Sequence, residues 1–319
     1  MAGNTDFNRL TTTTMQKYLS TFEDVIFTSK PLLYIITNHG NVETLDGGTQ
    51  INQPLMYAEL GNQGSFSGAD VFLTNDDEGL TMAEYNWKNY YGAIKLNNDE
   101  LAKNSGTSAV IRIMENEIKR AELSISEELD RIFFLDGTGN SNKDFTGLAA
   151  MVSATSTYGD IAVAGNDWWK STVNTTDIAI NGSGTSDGFI GLRSTYLTVS
   201  EGNDFPTNII TTQENYAAYD GLFEQRQRFM DPQVANQGFV TINFENAPIM
   251  FDRNTPDGYV YVLNMKYITL YKLGSAWFQM SDWLEPINQD VRVKKIILRG
   301  ELTCSNRKRQ GLLNNVNPA

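Results

Sequence analysis

The sequence predicts an α+β protein, on three observations. Residues 91–148 carry one very long amphipathic helix between a strand-like lead and a glycine-rich stop. From Gly238 to Leu273 four strand-length apolar runs, GFVTINF, APIMFD, GYVYVLN and YITLYKL, are separated by turn residues such as Asn254, Pro256, Asp257 and Gly258. Ahead of them Asp187 caps a helix through Phe189, Leu192, Tyr196 and Val199, followed by the strand FPTNIITT and the helix QENYAAYDGLFEQRQRFM. Helix, strand and helix in succession imply a layered α/β unit within a mixed second half.

The long helix organises the rest. Val110, Met114, Ile118, Ala121, Ile125, Leu129 and Ile132 recur every three or four positions, with Arg112, Glu115, Lys119, Glu122, Glu127 and Arg131 between them. Ser105, Thr107 or Ser108 can cap its start, Asp136 ends it, and Gly137 supplies the left-handed residue that commonly closes a helix. Residues 108–135 would span roughly 42 Å at 1.5 Å per residue. That exceeds what a compact core needs, so the helix reads as a coiled-coil arm or as a spine bridging distant parts of one subunit.

Composition bounds the function classes. The 319 residues are 40% hydrophobic and 20% charged, enough for a sizeable core in one or two domains. Acidic residues outnumber basic ones 38 to 25, for a net charge of -13, which disfavours general attraction to nucleic acid or anionic membranes. Cys304 is the single cysteine; it excludes intrachain disulfides and cysteine-based zinc sites and reads as a structural thiol. The N-terminal MAGNTDFNRLTTTT has no basic-then-apolar signal, and no apolar run is long enough to cross a bilayer, so a soluble protein made in a cytoplasm is expected.

Along the chain, Met15, Tyr18, Leu19, Phe22, Val25 and Ile26 predict a short helix over about residues 13–29. Pro31 and the apolar, branched LLYIIT after it predict a strand-like segment, and the chain to Leu45 reads as an arm. Gly47 to Leu60 and Leu80 to Leu96 look like two legs of a long hairpin, and the glycine-rich GNQGSFSGADVFLTNDDEG between them like a flexible tip. No lysine or arginine occurs from Pro31 through Trp87, while Glu43, Asp46, Glu59, Asp70, Asp76, Asp77, Glu78 and Glu84 are acidic. Residues 153–188, rich in Gly, Ser, Thr and Asn around Trp168 and Trp169, read as an irregular insertion. Past Pro286, VRVKKIILRGELTCS reads as an amphipathic strand or strand pair and NRKRQGLLNNVNPA as a polar tail.

Chemistry is scarce. His39, the only histidine, sits in a Thr-Asn-His-Gly turn, so a triad or histidine metal cluster has nothing to build on. LDGTGNSN follows a helix, whose C-terminal dipole repels phosphate, and lacks a Gly-Lys-Ser/Thr ending. TNDDEG does not have the alternating carboxylates of an EF-hand. Neither catalysis, a metal nor a cofactor is expected. The informative feature is sign segregation. The acidic Glu59, Asp70, Asp76, Asp77 and Glu78 and the basic Arg112, Lys119, Arg120, Arg226, Arg228, Arg307, Lys308 and Arg309 are candidates for contact between neighbouring copies.

An arm, a Gly-Gly strand entering an extended loop at 47–96, the long helix with its LDGTGNSNKDFTGL stop, and a later NFENAPIMFDRNTPDGYVYVLN run follow one another in this order. In that order they resemble the major capsid proteins of tailed bacteriophages of the Hong Kong 97 type. The resemblance implies an N-terminal arm (1–46), an extended loop or E-loop (47–96), a peripheral domain with the spine helix (97–150 with 285–319) and an axial domain (151–284). It implies hexamers and pentamers closing an icosahedral shell around double-stranded genome DNA, no enzymatic activity, a place in the virion, and a portal protein, a separate scaffolding protein and a decoration protein as further partners. Two departures matter. The arm begins almost at Met1, with no long scaffolding-like domain ahead of it. The loop has no lysine, which argues against covalent linkage of subunits through a lysine near its tip. An encapsulin-like compartment shell is the alternative within the fold, and a β-rich virion binding module the alternative outside it; the long helix speaks against the latter.

Overall fold

A computed structural model describes residues 30–38, 41–99, 107–182, 187–224 and 242–318. The expected helix at 13–29, His39, Arg226, Arg228 and residues 100–106 lie outside the described residues.

The described chain opens on helix α1 (Pro31–Asn38), where a strand was expected. Pro31 takes the first helical turn, in which its missing N–H is no loss. Leu32, Leu33, Ile35 and Ile36 are all buried, a grouping a helix can place on one side and an alternating strand cannot. Strands β1 (Val42–Leu45), β2 (Gln50–Met56), β3 (Leu80–Asn86) and β4 (Lys88–Asn97) follow. β2 and β3 form the expected antiparallel hairpin, with Gln50 opposite Asn86 and Met56 opposite Leu80. The second leg does not run on to Leu96: the chain breaks at Trp87, and β4 joins a different sheet.

Helix α2 (Thr107–Phe133) is the long helix, about 40 Å at 1.5 Å per residue. Ile118, Ile125, Leu129 and Ile132 are buried along its stripe. The last turn tightens, with Phe134 N on Arg131 O and Leu135 N on Ile132 O, and Gly137 (φ 81°) turns the chain away as the sequence predicts. After α3 (Leu148–Met151) come β5 (Thr172–Asn174) and β6 (Ile178–Ala179). Next are α4 (Gly188–Val199), β7 (Asn208–Thr211), α5 (Gln213–Glu224), β8 (Ile242–Phe244), β9 (Ala247–Phe251) and β10 (Val260–Leu263). The chain closes with β11 (Ile268–Leu273), β12 (Gln279–Met280), β13 (Val291–Cys304), β14 (Gly311–Leu313) and β15 (Val316–Asn317). Asp187 caps α4 as expected, accepting from Phe189 N and Ile190 N.

One sheet is built on β13, flanked by β4 along residues 291–300 and by β11 and β12 on its other edge, with β1 beyond β11. The second has the order β5-β14-β10-β7-β9-β8. Period-two alternation splits this second sheet between two cores. Ile210, Met250, Tyr261, Leu263 and Leu312 face the core shared with α2 and the hairpin; Ile209, Ile249, Val260, Val262 and Leu313 face α4 and α5. One further expectation is corrected here. Residues 311–313 and 316–317 are strands inside this architecture, not a polar tail, because Leu312, Leu313 and Val316 complete both cores. The glycine-rich 153–188 stretch is irregular as expected, carrying the short β5 and β6, and is packed onto the body: Trp169 is buried and its Nε1 donates to Tyr158 O at 2.9 Å.

Candidate functional site

The hairpin carries the acidic loop away from the body and is fastened at its root. Tyr85 OH donates to Cys304 O at 3.0 Å, Glu84 N to Gly159 O at 3.0 Å, and Trp87 Nε1 to Gly48 O at 2.9 Å. Ile51, Leu55, Ala83 and Tyr85 are buried, whereas the outermost pair, Met56 and Leu80, is exposed. Residues 57–79 form no helix or strand. Their shape comes from their own carboxylates: Asp77 accepts from Gly61 N, and Asp70 Oδ2 accepts from Ser67 N at 2.7 Å. Phe66 and Phe72 meet edge to face at 5.1 Å. Among the described residues nothing covers the tip, where Val71 is 95%, Phe72 61% and Leu73 65% exposed. Large apolar side chains clustered on a projecting loop mark a contact surface. Their sequence signal is the VFL run at 71–73, masked by the glycines and acids around it.

Asp130, Glu301 and Arg307 are buried polar groups in the body. Burial, then the neighbouring Asp252, pushes the Asp130 carboxyl of α2 up to about 8, while Asn254 Nδ2 donates to its Oδ2 at 2.7 Å. Burial likewise raises Glu301 to about 8, although its Oε1 accepts from Thr146 N and Leu302 N. Arg307 is fully buried: Nε donates to Met151 O, Nη1 to Ser156 O, and Nη2 to Ala150 O and Ser153 O, with the guanidinium over the rings of Tyr158 and Trp169. Each joins separate segments of the fold. Among the described residues no group of three or more His, Cys, Asp or Glu side chains is placed to hold a metal ion, and no helix is long and apolar enough to cross a membrane.

No protein-family model and no curated protein matches this sequence. Solved structures do. The capsid protein in the cyanophage A-1(L) capsid asymmetric unit superposes with a TM-score of 0.67 at 15% identity, over 91% of this chain and 93% of that one. The fold is that of the Hong Kong 97-type capsid proteins. The capsid of a native GTA particle matches with a TM-score of 0.58 at 10% identity, over 87% and 88% of the two chains. The SrpI encapsulin of Synechococcus elongatus PCC 7942 matches with a TM-score of 0.54 at 11% identity, over 88% and 86%.

Within this capsid fold the contact candidates separate. Glu59, Asp70, Asp76, Asp77 and Glu78 are exposed on the loop, and among the described residues no ion pair reaches them. Lys119 and Arg120 are exposed on α2, Arg120 3.5 Å from Glu117 one turn back. Arg112 lies on α2 at a position whose side chain is not described. Lys308 is exposed. Arg307 is corrected to a core residue, its fork consumed by backbone carbonyls. Arg309 is largely engaged within the subunit, by Glu201 and, at 3.8 Å, Asp204. Lys295 and Arg299, in the basic stretch 292–309 that the sequence offers as a further partner for the acidic loop, are exposed on β13, and strand register brings to the same face of the sheet Lys95, exposed on β4, which sequence reasoning did not single out.

Proposed function

We propose that this chain is a structural shell subunit, the major capsid protein of a tailed bacteriophage, assembling into the hexamers and pentamers of an icosahedral shell that encloses double-stranded DNA. The observation that carries the reading is a projecting hairpin with an uncovered apolar and acidic tip on a chain whose fold, over about nine-tenths of its length, is that of shell-forming proteins. A two-stranded ribbon without its own core gains stability by burying that tip on a neighbour. In this reading residues 1–46 are the arm, 47–96 the extended loop, 97–150 with 285–319 the peripheral domain and 151–284 the axial domain, with β11 and β14 crossing between the sheets of the last two. The role is structural and not enzymatic, the place of action is the virion, and portal, scaffolding and decoration proteins are the further partners. The encapsulin-like match supports a second reading, a compartment shell without a genome. Electron microscopy of purified protein tests both: closed particles of uniform diameter are expected, and nuclease-resistant DNA in particles from the native source separates capsid from compartment. A stable monomer across salt, pH and scaffold conditions would overturn the shell reading.

A further inference from the structure

Asp130 of the long helix and Asp252 of the turn after β9 meet inside the body, at 0% and 3% exposure. Each gives one carboxyl oxygen to Asn254: Asp130 Oδ2 accepts from its Nδ2 at 2.7 Å, and Asp252 Oδ1 from its backbone N–H at 3.0 Å. The other two oxygens, Asp130 Oδ1 and Asp252 Oδ2, are buried and have no donor among the described residues. The two carboxyl groups nonetheless stand within hydrogen-bonding reach of one another. A third oxygen is orphaned in the same turn. Thr255 gives its backbone N–H to Asp252 O at 3.3 Å, and its buried Oγ1 has no partner among the described residues.

Facing carboxylates without donors repel, and burial leaves no water to spread their charge. Lys30, whose charge bears on Asp130, does not answer them, because its Nζ lies 2.6 Å from Glu127 Oε2, one turn earlier on α2. Arg253 is exposed, beside the half-buried Asn254, so the site lies one layer below solvent. Two negative charges and three oxygens complement a divalent cation that prefers oxygen. Calcium sits about 2.3–2.6 Å from such ligands, which sets oxygens in adjacent coordination positions about 3.4 Å apart, close to the reach the two groups already have. Its coordination accepts a carboxylate, a hydroxyl and backbone carbonyls together, whereas magnesium demands an octahedron and keeps several waters. The set holds fewer than three acidic side chains, its third donor being neutral.

We propose that Asp130, Asp252 and Thr255 hold one calcium-like divalent cation, which clamps the long helix to the turn after β9. The inference stands apart from the shell-subunit reading, since all three ligands belong to one chain. A proton or a water between the carboxyl groups is the rival occupant.

The full-length protein at pH 8, stripped with EDTA and then given calcium chloride, tests it. Equilibrium dialysis should count one more tightly held calcium per subunit in the wild type than in Asp130→Asn or Asp252→Asn. Calcium should raise the wild-type thermal midpoint over its EDTA value by at least about 2 °C more than it raises that of either variant. Both variants should fold, because asparagine keeps the oxygen that accepts from Asn254 and can turn its amide toward the facing carboxylate; in EDTA they should melt no lower than the wild type. Calcium held weakly by the acidic loop shifts all three proteins alike and cancels in the comparison. Equal ion counts and equal rises in wild type and variants overturn the inference in favour of the proton or water, and leave the shell reading standing. A wild type that holds no tight calcium overturns it without recourse to either variant.

Discussion

Asn254 Nδ2 donates to Asp130 Oδ2 at 2.7 Å, and its backbone N–H donates to Asp252 Oδ1 at 3.0 Å, so one asparagine holds two buried carboxyl groups between α2 and the turn after β9. Burial first, then Asp252, brings Asp130 to about 8, with Lys30 pulling the other way; burial brings Glu301 to about 8. A carboxyl raised by folding contributes stability that is complete below its unfolded value, near 4, and is lost as pH rises through its folded value. The carboxylates held low, Glu127 by Lys30, Glu128 by Arg131 and Asp136 by Thr138, act in the opposite sense and only toward strong acid. Stability of the unassembled subunit should therefore fall between about pH 4.5 and 8, by at most about 1.4 kcal/mol per pH unit per group. Thermal midpoints at pH 5, 7 and 9 measure this, and Asp130→Asn should flatten the slope. An unchanged slope in that variant would acquit Asp130.

Arg307 fixes the segment after α2 by filling four backbone carbonyls from residues 150–156. Arg307→Ala leaves buried acceptors empty at about 1–3 kcal/mol each, so it should not yield folded protein. Arg307→Lys keeps the charge but not the planar fork and should lower the melting midpoint markedly. Lys308→Ala, at the exposed neighbour, should leave it within a degree or two of wild type. Circular dichroism melts of the three separate a core role from a surface one: equal effects at 307 and 308 would refute the distinction.

Gly147 makes the tightest approach to backbone atoms in the stop after the long helix. A Cβ there would lie within 2.5 Å of Phe133 O and Leu135 O, both backbone atoms that cannot swing aside. Gly147→Ala should destabilise by at least the 1–3 kcal/mol typical of overpacking, roughly. Gly165→Ala is the comparison: its surroundings are open, and only its φ of 84° opposes the change. Chemical denaturation midpoints should rank the two, with 147 the more damaging.

The fold was legible where a single period persists. The stripe Ile118, Ile125, Leu129, Ile132 and the stop at Asp136-Gly137 are local signals, and the structure places them accordingly. LLYIIT was misread because its apolar run fits a strand or a buried helix equally well, and only burial against β11 and the long helix decides. The C-terminal residues were misread because Arg307 and Gln310 look solvated in sequence, whereas both are buried and bonded to partners 46 to 157 residues away. The sign of the loop was plain in the sequence. Which basic residues are free to meet it was not, since that depends on Arg309 being engaged by Glu201 and on register aligning Lys95 with Lys295 and Arg299.

The acidic loop yields the last prediction. Five carboxylates crowd residues 59–78 with no described ion pair, so their mutual repulsion is relieved only by positive charge from elsewhere. Reversing Asp76, Asp77 and Glu78 to lysine should block assembly while the subunit stays folded, because all three are exposed. Asp77 also accepts from Gly61 N, so its reversal loosens the tip as well; the double reversal of Asp76 and Glu78 isolates charge from shape. Exposed pairs contribute only about 0–1 kcal/mol each, so the effect depends on many copies of a weak contact. Particle stability should then decline as salt shortens the screening length from about 8 Å at physiological ionic strength. Reversal of Lys95 and Arg120 to glutamate in the double-reversal background should restore part of the yield. Light scattering over a salt series reads all of these, and normal assembly of the double reversal at low salt would make the loop's charge a solvated surface without a partner.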